Sequence, residues 1–122
     1  MENTEILVKV IKQQAEVFLL DAGEFFPFGT CIGKDNAIIP IAACIEDEND
    51  RPESEPLIEM LENNIKSGLA NEHFIIGALA YDVFLHENQE KFDAIVICIY
   101  ENDNFVKTHF KYSIHESHVE FS

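Results

Sequence analysis

Three apolar runs joined by short polar links dominate the second half of the chain. The runs span residues 73–86, 92–101 and 105 to about 115, and the links between them span residues 87–90 and 102–104. Both links are short enough for hairpins. This half of the sequence therefore predicts three consecutive strands, each antiparallel to the next.

These strands differ in polarity. The run over residues 73–86 is apolar on both faces for most of its length. The run from residue 105 alternates instead, which predicts one face in the core and one face in water. The predicted core face carries Val106, Thr108, Phe110, Tyr112 and Ile114, and the wet face carries Lys107, His109, Lys111, Ser113 and His115.

The first element is predicted to be a helix over residues 4–20, because its apolar residues recur at the three-and-four spacing of one helix face. Asn3 or Thr4 can cap its amino end, and Gly23 supplies the left-handed residue that usually follows a helix. Gln14 interrupts the predicted apolar face, which consists of Leu7, Val10, Ile11, Val17 and Phe18.

Two strands and a second helix follow. The apolar runs 24–33 and 37–45 flank a short polar link, which predicts a hairpin. Pro27 and Pro40 cannot donate a backbone hydrogen bond, and we place the second strand at a sheet edge. The second helix is expected to begin at Ser54 and to end near residues 68–71, with an apolar stripe of Leu57, Ile58, Leu61, Ile65 and Leu69.

The element order α-β-β-α-β-β-β predicts a single α+β domain over residues 1–122, with two helices and a mostly antiparallel five-stranded sheet. This topology resembles the roadblock and profilin-like domains, which place a five-stranded sheet between helices. In a roadblock-like arrangement the second and third strands form the sheet edges. The third strand contains neither proline nor lysine, so the resemblance predicts a homodimer paired along it. A central position in the sheet is the alternative explanation of its composition.

Three short blocks resemble those of a family of small uncharacterised bacterial proteins. They are Gly-Glu-Phe-Phe-Pro-Phe-Gly at 23–29, Ala-Leu-Ala-Tyr-Asp-Val at 78–83 and Asp-Ala-Ile at 93–95. The family has no established activity to carry over. The resemblance implies a bacterial cytoplasmic origin and singles out Glu24, Tyr81, Asp82 and Asp93.

The charge balance excludes several classes of protein. A formal net charge of −15 disfavours binding to nucleic acid or to anionic lipid through the general surface.

No run approaches the ~20 apolar residues of a membrane helix, and the acidic amino terminus is unlike a signal peptide. Cys31, Cys44 and Cys98 lie in apolar runs, which suits buried thiols in a reducing compartment. We expect a cytoplasmic protein.

Negative charge is concentrated in residues 46–62, which hold eight acidic residues and one arginine. Clustered charge steers association, so this segment is a candidate docking patch for a basic protein partner. Solubility and helix capping are the alternative explanation. The patch consists of Glu46, Asp47, Glu48, Asp50, Glu53 and Glu55.

Three carboxylates are candidates for acid or base chemistry. Glu24 precedes aromatic residues that could raise its pKa. A two-residue turn at Asn88-Gln89 would place Asp82 opposite Ile95, with Asp93 diagonal to Asp82 on the same face. Such a pair could share a proton or a cation. Solvated or hydrogen-bonded structural carboxylates are the alternative.

Two further candidate sites are an apolar segment and a pair of histidines. Phe25, Phe26 and Phe28 form an apolar segment beside which a small ligand could lie. His115 and His118 are spaced at i and i+3, so at the end of a strand their rings should point to opposite faces, and no metal site is predicted.

The motifs of common enzymes are missing from the sequence. It contains no phosphate loop, dinucleotide fingerprint or serine-nucleophile motif, and it predicts no cofactor. It favours a noncatalytic interaction or regulatory domain. One alternative is an immunity-type antagonist of a basic toxin or nuclease. The other is a small enzyme using Glu24, Asp82 or Asp93, which should then converge in one cleft.

Overall fold

The computed structural model describes residues 2–23, 25, 27–42, 54–102 and 104–121. The chain forms two helices and an antiparallel sheet, so the α+β class is confirmed. In chain order the elements are α1 (Glu2–Ala22), β1 (Phe28–Gly33), β2 (Ile38–Ala42), α2 (Ser54–Ala70), β3 (Phe74–Glu87), β4 (Glu90–Glu101), β5 (Asn104–Ile114) and β6 (Val119–Phe121).

The sheet has six strands in the order β2-β1-β3-β4-β5-β6, and every neighbouring pair is antiparallel. The sheet therefore has one strand more than the five that the sequence predicted, and that prediction is wrong. The missed strand, β6, has only three residues, too few to show a periodicity of two. It forms a hairpin with the end of β5, where Ile114 pairs with Val119.

The helices cover opposite faces of the sheet. Strand residues alternate between the faces, so each face presents its own apolar set. The α1 face packs against Leu7, Ile11, Ala15 and Leu19 of the first helix. The α2 face packs against Leu61, Ile65 and Leu69 of the second helix. A sheet covered on both faces explains why β3 is apolar on both faces over its first half.

The strand order places β2 at a sheet edge, as its proline predicted, but it corrects the position of β3. That strand pairs with β1 on one side and with β4 on the other. Over residues 74–80 it is therefore an inner strand, and the predicted dimer seam along this part of β3 is wrong. The alternative explanation of its composition, a central position, is the correct one.

The β3–β4 hairpin has the predicted register. Asn88 and Gln89 have φ values of 50° and 69°, and Glu87 pairs with Glu90 around them. Two consecutive positive φ values are the requirement of a type I′ turn, whose twist matches that of the flanking strands. The turn sets the pairing of the whole hairpin, including Asp82 with Ile95.

The buried face of α1 is only partly the predicted one. Leu7 and Ile11 are buried, but Val17 is 65% exposed. Helix positions four residues apart share one face, and Ala15 and Leu19 continue the face that begins at Leu7. No helix among the described residues combines the length and the hydropathy of a membrane span.

Gln14 connects α1 to the sheet. Thr30 of β1 is fully buried and its hydroxyl donates to Gln14 Oε1 at 2.7 Å. We expect Gln14→Leu to destabilise the protein by about 1–3 kcal/mol although it adds an apolar residue, because it leaves the Thr30 hydroxyl buried and unpaired. Urea unfolding checks this. Adding Thr30→Val should recover most of the loss, and equal stability of wild type and Gln14→Leu would contradict the assignment.

Candidate functional site

Two of the predicted carboxylates lie on one face of the sheet. Asp82 of β3 is opposite Ile95, and Asp93 of β4 is opposite Phe84. Directly opposed residues of an antiparallel pair share a face, and so do residues two apart along one strand. The predicted diagonal arrangement of Asp82 and Asp93 is therefore present.

A tyrosine that the sequence did not single out joins this pair. Tyr112 of β5 is buried, and its hydroxyl donates to Asp82 Oδ1 at 2.8 Å. Burial raises the pKa of Tyr112, and the hydrogen bond to Asp82 and the negative charges of Asp82 and Asp93 raise it further. The phenol therefore stays protonated and serves as a donor to the carboxylate. The alternation along β5 had already placed Tyr112 on the core side, but it did not name Asp82 as its partner.

The Asp82–Tyr112 contact has a structural explanation. A tyrosine hydroxyl taken out of water needs a hydrogen-bond partner, and Asp82 supplies one. Among the described residues, no buried side-chain nitrogen or oxygen lacks a hydrogen-bond partner. Neither of the two cavities described below is lined by Asp82 or Asp93.

Several predicted site residues lie outside the described residues: Glu24, Phe26, and most of the acidic patch, namely Glu46, Asp47, Glu48, Asp50 and Glu53. Glu55 is exposed in the first turn of α2. Phe25 and Phe28 are both buried, and the edge of one ring meets the face of the other with the centroids 5.5 Å apart. In the described part of the apolar segment, the aromatic side chains thus belong to the core.

The described cysteines are packing residues. Cys31 and Cys98 are free thiols buried on the α2 face. Burial raises the pKa of the Cys31 thiol to about 12 and raises the pKa of the Cys98 thiol as well. The thiolate is the nucleophilic form, so neither group is a reactive nucleophile at neutral pH. Cys44 lies outside the described residues.

A second apolar stripe runs along the side of α1 that faces away from the sheet. We call it the outer stripe, and it consists of Ile6, Val10, Val17 and Leu20. Ile6 is 38% exposed and Leu20 is 41% exposed, and Val17 exposes more than either. At 100° per residue these positions lie opposite the buried face of Leu7, Ile11, Ala15 and Leu19. The sequence prediction merged the two stripes into one face.

A groove runs between α1 and β6. It has a volume of about 520 Å³ and is lined by Val8, Lys12 and Glu16 of the helix and by Val119 and Phe121 of the strand. Glu16 Oε2 accepts the backbone N–H of Val119 at 2.9 Å. Lys12 Nζ lies 3.7 Å from the ring centroid of Phe110. The Glu16–Val119 hydrogen bond attaches the short β6 to the helix, and the Lys12–Phe110 contact attaches the helix to β5.

A second cavity, of about 580 Å³, lies beside α2 and the β4–β5 turn. Tyr100 donates its hydroxyl to Glu62 Oε2 at 2.6 Å, and Lys66 Nζ lies 3.4 Å from Glu62 Oε1. The hydrogen bond from Tyr100 lowers the pKa of Glu62, and Lys66 lowers it further. The carboxylate on this wall is therefore ionised and already paired with two neighbours.

The expectation about the histidines is wrong. His115 and His118 do not point to opposite faces; their rings stack with centroids 4.7 Å apart. The two residues stand on either side of a two-residue turn, so they oppose each other across a hairpin. The i, i+3 spacing indicates this arrangement only when the following strand is recognised, and β6 was not. His109, in contrast, is an exposed residue of β5.

Comparison with protein-family models finds no match for this chain, and comparisons with curated proteins and with solved structures find none either. The resemblances noted from the sequence stay predictions.

Proposed function

We propose that this protein is a noncatalytic interaction domain that binds a partner protein through the outer stripe of α1. The observation that supports this proposal is the position of Ile6, Val10, Val17 and Leu20 on the side of the helix opposite the core. Scattered apolar residues on a protein surface are ordinary, but several apolar residues along one helix face are typical of an interaction surface. In this row Gln13 stands between Val10 and Val17.

The dimensions of the outer stripe suit recognition of a helix by a groove. From Ile6 to Leu20 the stripe is about 21 Å long at the helical rise of 1.5 Å per residue. Its members recur at spacings of four, seven and three residues, as do the anchor residues of amphipathic helices that bind apolar grooves. We infer a partner that offers an apolar groove of about this length.

The charge of the chain distinguishes this interaction from a purely electrostatic one. The outer stripe contains no ionisable side chain, whereas the chain carries a formal net charge of −15. Contacts between exposed charges weaken as salt is added, while burial of apolar surface does not. Binding through the stripe should therefore persist at high salt. Binding of a basic toxin or nuclease by acidic residues, the antagonist alternative, should be lost.

The described chemistry also supports a noncatalytic role. The Asp82 carboxylate accepts a hydrogen bond from Tyr112, and Glu62 accepts one from Tyr100. The buried thiols of Cys31 and Cys98 are held protonated by their surroundings. Each of these groups has a structural partner or is packed in the core.

A pair of matched variants tests the proposal. The full chain is immobilised as wild type, as Val17→Glu/Leu20→Glu and as the control Met60→Glu, and each is incubated with lysate from the native cells at low and at high salt. Met60 is 42% exposed on α2, almost the same as Leu20 on α1. We expect at least one protein that wild type and Met60→Glu retain at both salt concentrations and the double variant does not.

Two results would contradict the proposal. If all three proteins retain the same set, the outer stripe is not the binding surface. If retention is confined to basic proteins at low salt, the antagonist alternative is favoured. Light scattering adds a third comparison, because a wild-type mass of twice 13.9 kDa that is lost only in the double variant would identify the partner as a second copy of this chain.

A further inference from the structure

We propose that His115, His118 and Glu120 form a binding site for a divalent transition-metal ion of the zinc class. The three residues lie in the β5–β6 hairpin, and one potential ligand atom from each lies within 4.8 Å of the others. The site is separate from the outer stripe, so it stands or fails independently of the proposed function.

The geometry of the β5–β6 hairpin places the side chains of His115, His118 and Glu120 on one face of the hairpin. Ile114 pairs with Val119 and Ser113 pairs with Glu120. The backbone N–H of His115 donates to the carbonyl of His118 at 2.8 Å, which continues this register into the turn. His118 and Glu120 are two residues apart along β6 and therefore share a face, and His115 is directly opposite His118.

The distances approach those of a coordination sphere. His115 Nε2 lies 3.2 Å from Glu120 Oε2. Bonds of about 2.0–2.1 Å to a tetrahedral ion place two ligand atoms about 3.3 Å apart. In the structure this contact is a hydrogen bond, and a bound ion would replace it with two ligand bonds that span an edge of nearly the same length. All three side chains are exposed, so the remaining edges can close by rotation of side chains rather than by movement of the core.

The donor set selects the ion. Imidazole nitrogen favours zinc and its neighbours in the first transition series, whereas calcium and magnesium prefer oxygen donors only. Two histidines and one carboxylate leave a fourth tetrahedral position for water. Glu120 compensates part of the charge of the ion, and the strongly acidic chain raises the local concentration of cations.

Binding of the ion would fix β6 in place. This strand carries Val119, whose backbone N–H donates to Glu16 of α1, and Phe121, which lines the groove beside that helix. β6 is only three residues long. An ion bound by His115, which directly follows β5, and by Glu120 of β6 would hold the two strands together. The bound ion would therefore stabilise β6 as one wall of the groove.

Equilibrium dialysis of the full chain against Zn²⁺, in excess Mg²⁺ to saturate nonspecific carboxylates, tests the proposal. The variants are His115→Ala, His118→Ala and Glu120→Gln, and the matched control is His109→Ala, an exposed histidine of the adjoining strand β5. We expect one ion per wild-type chain. Loss of an outer-shell partner already weakens metal affinity about 10–100-fold, so loss of a ligand should weaken it by at least about tenfold.

Thermal unfolding provides a second readout. An ion that binds only the folded chain raises the Tm, and Zn²⁺ should do so for wild type and His109→Ala but not for His118→Ala. All these side chains are exposed, so the variants should fold without metal. The absence of saturable Zn²⁺ binding by wild type would overturn the proposal, and so would equal affinity of wild type and His118→Ala.

Discussion

Ala78→Asp is expected to destabilise the protein by several kcal/mol, enough to unfold a domain of low stability. Ala78 is a β3 residue with no exposed surface, and it packs in the core under α1. An unpaired carboxylate at this position would lose its hydration without gaining a partner. We expect a loss of about 4 kcal/mol or more, which is comparable to the whole stability of many domains of this size, about 5–15 kcal/mol. Far-UV circular dichroism and urea unfolding measure it.

The control for Ala78→Asp is Val106→Asp on β5. Val106 is 45% exposed, so the new carboxylate stays in water and the expected loss is at most about 1 kcal/mol. The comparison also tests the strand order. If β3 were an edge strand that pairs with a second copy, Ala78→Asp would give a folded monomer. An Ala78→Asp protein that loses no more stability than Val106→Asp would therefore contradict the central position of β3.

Ile65→Ala should have the second largest effect, a destabilisation of about 2–5 kcal/mol, because it opens a cavity between α2 and the sheet. Ile65 is fully buried and lies against Gly77 of β3. A Cβ added at Gly77 would lie 2.7 Å from Ile65 Cγ2 and 3.0 Å from Cys31 Sγ. Gly77→Ala alone should therefore destabilise the protein by about 1–3 kcal/mol through overpacking.

The two substitutions should compensate each other. In Ile65→Ala/Gly77→Ala the new methyl group occupies space that the isoleucine has left, so we expect the double variant to be more stable than the sum of the single effects by about 0.5–3 kcal/mol. Leu7→Ala is the matched control, since Leu7 is equally buried but packs on the opposite face of the sheet. Combined with Gly77→Ala it should be additive. Additivity for the Ile65 pair as well would show that α2 does not pack on Gly77.

Much of the fold follows from local sequence patterns. Both helices, the first five strands and their order along the chain, but not the position of β3 in the sheet, were predictable because amphipathic periods and turn residues act over short distances. The register of β3 and β4 was predictable for the same reason. Asn88 and Gln89 form a two-residue turn, and the length of a turn sets the pairing of every residue in its hairpin.

The candidate sites show where local patterns were insufficient. The pairing of Asp82 with Ile95 followed from the turn, but the hydrogen bond from Tyr112 requires β5 to be placed beside β4 with its own register. The convergence of His115 and His118 depended on β6, a strand too short to predict. The outer stripe of α1 could be separated from the buried stripe only after the helix had been placed on the sheet.

The sequence by itself determined the kind, order and local pairing of the elements, because hydrophobic period and turn conformation depend on residues close together in the chain. The tertiary structure decided that β3 lies between β1 and β4. A strand apolar on both faces is compatible with a central position or with a covered edge, and only its backbone pairing with β1 on one side and β4 on the other distinguishes them. It also decided which α1 stripe is buried, because Leu7 and Val17 are equally apolar and differ only in what lies beside them.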